Sequence, residues 1–213
     1  MSSWLRRKRP PAVPGPQRWL VLDVESSGLD ADRDSLLAVA AVAVHVAQGR
    51  ASIVMADSFE AVLRQAPPAA EPDRQNILVH GIGLGEQAGG AEAGEVLARF
   101  EAFVGSAPLI GFHVAFDRRL IERAARAALG RSTSHDWLDL ADLAPVLLPT
   151  IRGRSLDEWL QALAIDCPGR HRAAADAFAT AELLLRLWPA ARAEGAEDFR
   201  GLARLAARRR WLR

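Results

Sequence analysis

The stretch LVLDVESSGLD, residues 20–30, sets Asp23 and Glu25 one residue apart inside an apolar run. Side chains two apart on a strand project to one face, so the two carboxylates lie side by side and repel each other. Two readings fit. In one, the strand ends there and both acids are simply solvated. In the other, they bind a hard divalent cation, since Mg²⁺ and Mn²⁺ prefer oxygen ligands and turn paired carboxylates into a site. The pattern D-x-E alone does not choose between them. Ser26, Ser27, Gly28 and Leu29 follow at once. A glycine there lets backbone come close to a ligand, and exposed amides can hold a hydroxyl or phosphate. A plain polar turn would read the same way.

Two further loci carry acids of similar interest. In LIGFHVAFDRRLI, 109–121, Asp117 falls in the first turn of an expected helix with Phe116 beside it. Capping and the helix dipole are the ordinary explanation of such an acid. The end of a strand beside the first one is also a place from which an acid can reach a site built there. In HRAAADAFATAELLL, 171–185, Asp176 sits among alanines, where a buried carboxylate without a partner is costly. His171, five residues earlier, would lie about 140° round a regular helix from Asp176, so it belongs at the helix entrance or on the CPGR loop before it. A lone histidine is more often structural or merely exposed. One on a loop beside an acid that wants a cation has the form of a general base.

The elements that must position these residues are legible in outline. WLVLDV, then the apolar run 36–47, then residues 51–63 after a QGR turn predict three strands in an antiparallel meander. Residues 65–92 read as loop with a little helix. Beyond them the texture alternates: helix over 95–104, strand over 108–112, helix over 116–129 closed by Gly130, and a strand at 137–140. Ser155 and Glu158 form a capping box for a helix from Leu156, a strongly apolar helix follows over 173–188 and is expected to stop at Pro189, and a last helix with a basic face is expected over 197–212. Meander first and alternating elements afterwards predict an α/β fold around a mixed sheet.

With 213 residues, half of them hydrophobic, the chain suits one substantial core. The run LLAVAAVAVHVA is far shorter than the roughly 20 residues of a membrane-spanning helix, so no membrane association is expected. The start of the chain has basic residues followed by prolines and shows no secretion signal, and a lone Cys167 fits a reducing cytoplasm. The near-neutral net charge of +1 conceals basic ends on an acidic body. Basic ends can hold a polyanion. Arginine-rich coding and ordinary exposed tails explain them equally well. The expected organisation is a basic Pro-rich tail at 1–18, a single globular domain at 19–190 and a basic C-terminal helix at 191–213.

Taken together, LVLDVESSGL, HGI at 80–82, LIGFHVAFD and HRAAADAFATAELL resemble, in order and spacing, the DEDDh family of 3′-to-5′ exonucleases, which includes the proofreading epsilon subunit of bacterial DNA polymerase III. The family usually has Thr where Ser26 and Ser27 stand, which keeps the hydroxyls. The resemblance implies an RNase H-like fold: a mixed five-stranded sheet with an antiparallel meander, flanked by helices. It implies that Asp23, Glu25, Asp117 and Asp176 bind two divalent metal ions, Mg²⁺ or Mn²⁺, with His171 as general base. It also makes Ser26, Ser27, Gly28, Leu29, His80 and Phe116 contacts for the terminal nucleotide. The expected activity is release of nucleoside 5′-monophosphates from single-stranded DNA 3′ ends in proofreading or repair, with a polymerase or other protein as partner. Two alternatives stay open: an RNA-trimming 3′-to-5′ exoribonuclease of the same family, and a non-catalytic module that binds nucleic acid or a polymerase.

Overall fold

The computed structural model describes residues 15–66, 77–78, 81–132 and 134–211. Residues 1–14 of the segment read as a tail lie outside the described residues, as does His80.

Three long strands form the meander: β1 Gln17–Ser26, β2 Leu36–Ala47 and β3 Arg50–Val62. β1 begins two residues before the apolar run. Gln48 and Gly49 turn the β2–β3 hairpin with φ of 51° and 75°, the double left-handed pair of a tight two-residue connection. After α1, Leu84–Gly89, and α2, Ala93–Val104, the chain adds β4, Leu109–Gly111, parallel to β1. α3, Ala115–Leu129, crosses over to β5, Trp137–Asp139, which pairs in parallel with β4. The strand order is β3-β2-β1-β4-β5, so the expected mixed five-stranded sheet is what forms. α4, Leu140–Leu147, α5, Leu156–Ala162, α6, Ala173–Ala193, and α7, Phe199–Ala207, complete the chain, with a 3₁₀ turn at Arg208–Trp211.

Each face of the sheet is covered by its own core. Trp19 and Val21 of β1, with Val42, Val44 and Val46 of β2, pack under α4, α5, α6 and α7. Leu20, Leu22 and Val24 face the other way, onto Val96, Leu97 and Phe100 of α2 and Leu120 and Ile121 of α3. Burial on both faces explains why β2 reads as an unbroken apolar run. Leu202 and Leu205 of α7 are buried in the first core. No helix among the described residues is long and apolar enough to cross a membrane.

Two helices differ from expectation. α4 was not foreseen, because LADLAPVL is too uniformly apolar to show a helical period and Pro145 reads as a breaker. Asp139 caps it, accepting from the Ala141 N–H at 2.8 Å. Proline cannot donate to the Ala141 carbonyl four residues back, and the Arg209 guanidinium donates to that oxygen instead. α6 was expected to stop at Pro189 but continues to Ala193. Leu187, Trp188 and Ala191 are buried on either side of the proline, and Trp188 Nε1 donates to the Gly49 carbonyl at 3.0 Å, so tertiary packing carries the helix through. Ser155 and Glu158 form the expected reciprocal capping box at the head of α5.

Candidate active site

The odd-numbered residues of β1 face α6, and the alternation that buries Trp19 and Val21 places Asp23 and Glu25 at the end of the same face. The register slips between Glu25 and Ser26, an irregularity that ends the regular ladder beside the two acids. Their cross-strand partners on β2 are Ala40 and Ala38, whose side chains offer neither charge nor hydrogen bond. Asp176 enters from the first turn of α6, which lies across β1. One carboxylate oxygen each from Asp23, Glu25 and Asp176 fall within 4.8 Å of one another. Asp117 arrives from the first turn of α3, beyond the end of β4. Asp117 and Asp176 are only 5% and 6% exposed.

The electrostatics follow from that crowding. Burial raises Asp23 well above the usual carboxylate range, and repulsion from Asp117, Asp176 and Glu25 raises it further. Glu25 is pushed up to about 8, first by burial and then by Asp176. Asp117 rises to about 7, again through burial, although hydrogen bonding to its own backbone and that of Val24 favours its ionised form. All three acids resist ionisation because burial and like-charged neighbours disfavour the charged form, and Arg170 offsets this only in part at Asp23 and Glu25. An all-carboxylate oxygen set of this kind fits a hard divalent cation, which would reverse each of these shifts on binding.

His171 sits on the loop before α6 in a left-handed conformation, φ 63°. Its backbone N–H donates to Asp176 Oδ2 at 3.1 Å, which ties the loop carrying it to the cluster, while the residue itself is exposed to solvent. Two residues that the sequence did not single out also belong here. Arg170 forms an ion pair with Asp176 Oδ1 and, through Nε, with Asp157 of α5. Asp139 Oδ1 accepts from the His113 N–H at 2.9 Å, holding the left-handed His113 at φ 62° in the bend that delivers Asp117. Arg170 was one arginine among many and had no spacing signal. Asp139 fell inside the stretch read as a strand at 137–140 and had no signal of its own.

The turn after β1 is closed by its own side chains. Ser26 Oγ donates to the Gly28 carbonyl at 2.5 Å, and Ser27 Oγ accepts from the Ser35 N–H at 2.9 Å while meeting Asp34 Oδ1 at 3.2 Å. Both hydroxyls thus brace the turn. A Cβ on Gly28 would come within 2.5 Å of the Asp34 carboxylate, which would have to move aside for any larger residue. The result of the bracing is Leu29, 94% exposed at the tip. Phe116 is partly buried against the second core.

Residues 20–184 match the family model described as Exonuclease, RNase T. The chain is 31% identical over 184 residues to the DNA polymerase III subunit epsilon-like protein of Rhodobacter capsulatus, a match that covers 85% of this chain and 25% of that protein. It is 27% identical over 169 residues to the DNA polymerase III subunit epsilon of Aquifex aeolicus, with 79% of each covered. Among solved structures, Escherichia coli Exonuclease I in complex with a dT13 oligonucleotide shares the fold, with a TM-score of 0.65 at 16% identity over 80% of this chain and 41% of that one. The chain therefore spans about a quarter of the length of the Rhodobacter relative and under half of Exonuclease I.

Proposed function

The chain belongs to the exonuclease family, and from that premise we propose that it is a metal-dependent 3′-to-5′ exonuclease releasing nucleoside 5′-monophosphates from single-stranded DNA ends. The convergence of Asp23, Glu25 and Asp176 within 4.8 Å, with Asp117 close enough to raise Asp23, is the observation that carries the reading. Three acids from a strand and a helix held that close, with a fourth from a second helix near enough to raise two of them, carry an electrostatic cost that a bound cation would relieve.

In this reading Asp23, Glu25, Asp117 and Asp176 hold two Mg²⁺ or Mn²⁺ ions. When bound, such ions supply Lewis acidity to the attacking water and to the leaving oxygen. The His171 imidazole takes the proton from the water as the new P–O bond forms and the bond from phosphorus to the 3′-oxygen breaks. The leaving 3′-oxygen is reprotonated from solvent. Leu29 and Phe116 give the terminal base apolar surfaces to pack on, and Ser26, Ser27 and Gly28 hold the turn that presents Leu29. His80 completes the set of nucleotide contacts carried over from the family. Cytoplasmic location and association with a polymerase or another protein belong to the same proposal.

The test is hydrolysis of 5′-labelled and 3′-labelled single strands, DNA and RNA side by side, with Mg²⁺ or Mn²⁺. Mononucleotides released first from the 3′-labelled end of DNA are the expected result. Cleavage of neither polymer, or Asp176→Ala cleaving as well as the parent, would sink the proposal, and preference for RNA would redirect it to the exoribonuclease reading. His171→Ala should lose most of its rate while binding metal nearly as well. Loss of metal in that variant would make His171 a ligand.

A further inference from the structure

Three residues of the loop before α6 close on one carboxylate. Cys167 Sγ lies 3.6 Å from Asp176 Oδ1, Arg170 pairs with that same oxygen, and the His171 N–H donates to Oδ2 at 3.1 Å. Both oxygens of Asp176 are therefore engaged by the segment that carries His171. Arg170 is braced as well. Its side chain is only 23% exposed, and its Nε donates to Asp157 in the first turn of α5. Asp176 is at the same time one of the three acids whose oxygens cluster within 4.8 Å. A guanidinium lying on a carboxylate oxygen covers its lone pairs, and a divalent cation brought to that oxygen is also repelled by the arginine's charge.

Resting on the reading of this cluster as a metal site, we infer that Arg170 is an internal competitor for the cation at Asp176, and that loading the site moves the His171 loop. Asp157 gives the guanidinium somewhere to go: its carboxylate is more exposed than that of Asp176 and already holds the other arm of Arg170. The swing is therefore a transfer between two acids and leaves the arginine paired throughout. Because Cys167 and the His171 N–H address the same carboxylate, displacement of Arg170 from Oδ1 loosens the whole segment 167–171 around its Asp157 anchor. Metal occupancy and the position of the imidazole become one equilibrium. Arg170 in this role is a positioning residue that never touches substrate.

The first measurement is Mn²⁺ affinity by titration calorimetry on the full chain, Arg170→Gln and Arg172→Gln. Arg172 is the exposed neighbour on the same loop, with no ion pair among the described residues, and controls for charge acting at a distance. Arg170→Gln should bind Mn²⁺ roughly five- to tenfold tighter, the scale of one partly exposed ion pair, and Arg172→Gln within about twofold of the parent. Equal or weaker binding by Arg170→Gln, or an equal gain in Arg172→Gln, overturns the inference. The second measurement needs no variant. Cys167 is the sole cysteine of the chain, so its alkylation by iodoacetamide reports the loop directly. Mg²⁺ should speed that reaction several-fold in the parent, and an unchanged or slower rate overturns the inference even if Arg170→Gln fails to fold. A parent that binds no Mn²⁺ removes the metal-site reading and this inference together, whereas binding without the gain removes the inference alone.

Discussion

At the start of β1, Arg18 donates through Nε and Nη2 to the two oxygens of Asp57, both at 2.7 Å, and its guanidinium lies 4.7 Å from the Phe103 ring centroid. At the other end of the same strand, Asp23 and Glu25 meet Asp117 and Asp176. The first acid is held below the usual range by the Arg18 hydrogen bonds with help from His45; the others are driven up. One strand thus carries a satisfied ion pair and an unsatisfied cluster. On the proposed metal-site reading, the difference separates charge that serves the fold from charge kept for an external cation, because a bidentate arginine pair is complete within the chain and four carboxylates with a single arginine are not.

The sharpest way to break this contrast is to neutralise one acid of the cluster. If the proposed metal site is right, Asp23→Asn should lower exonuclease activity on the order of a hundredfold or more, through loss of one of its ligands. It should also raise the melting temperature of the metal-free protein, because one source of repulsion is gone. A variant that lost activity and stability together would show that Asp23 supports the fold.

Next in size is the pH dependence. In the folded chain Glu25 holds its proton up to about pH 8 and Asp117 up to about 7, against usual values of 4.5 and 3.8. Between those limits the folded state binds more protons than the unfolded one, so stability falls as pH rises through that window. Melting in EDTA should therefore drop between pH 5 and 8. Saturating Mn²⁺ should remove the drop and add about 2–3 kcal/mol at a hundredfold excess over its dissociation constant. Asp57 has the opposite sign: with its folded value depressed, its contribution is present at neutral pH and lost only as pH falls through that low value.

Arg18→Met tests the satisfied end. It should cost about 1 kcal/mol, seen as a lower urea midpoint, and leave turnover within about twofold. The smallest effect belongs to the turn. Gly28→Ala forces the Asp34 carboxylate away from the Asp30 N–H that it holds at 2.7 Å, and should raise KM for the oligonucleotide a few-fold with kcat little changed.

Much of this contrast was readable in the letters, for a physical reason. Strand alternation fixes which face Asp23 and Glu25 share as soon as Trp19 and Val21 are known to be buried, and alanines around Asp176 mark an acid with no local partner. The meander and the parallel additions followed from periodicity and connection length. What stayed hidden were partners made by tertiary approach: Arg170 reaching both α5 and α6, Arg209 repairing the gap left by Pro145, and Asp139 steadying the bend before Asp117. None has a local signature, since an arginine is equally at home in solvent. The serine hydroxyls show the converse. Their types suggested contact with a ligand, and the structure engages them in bracing the turn.

Ala38 and Ala40, level with Glu25 and Asp23 on the adjoining strand, bear on how this protein tolerates change. A lysine at either place would stand an ammonium next to the acids and give the cluster the resident counterion that Arg18 gives Asp57. The chain would grow steadier and its chemistry would stop. Two methyl groups thereby leave the carboxylates without a resident counterion, as the proposed metal site requires.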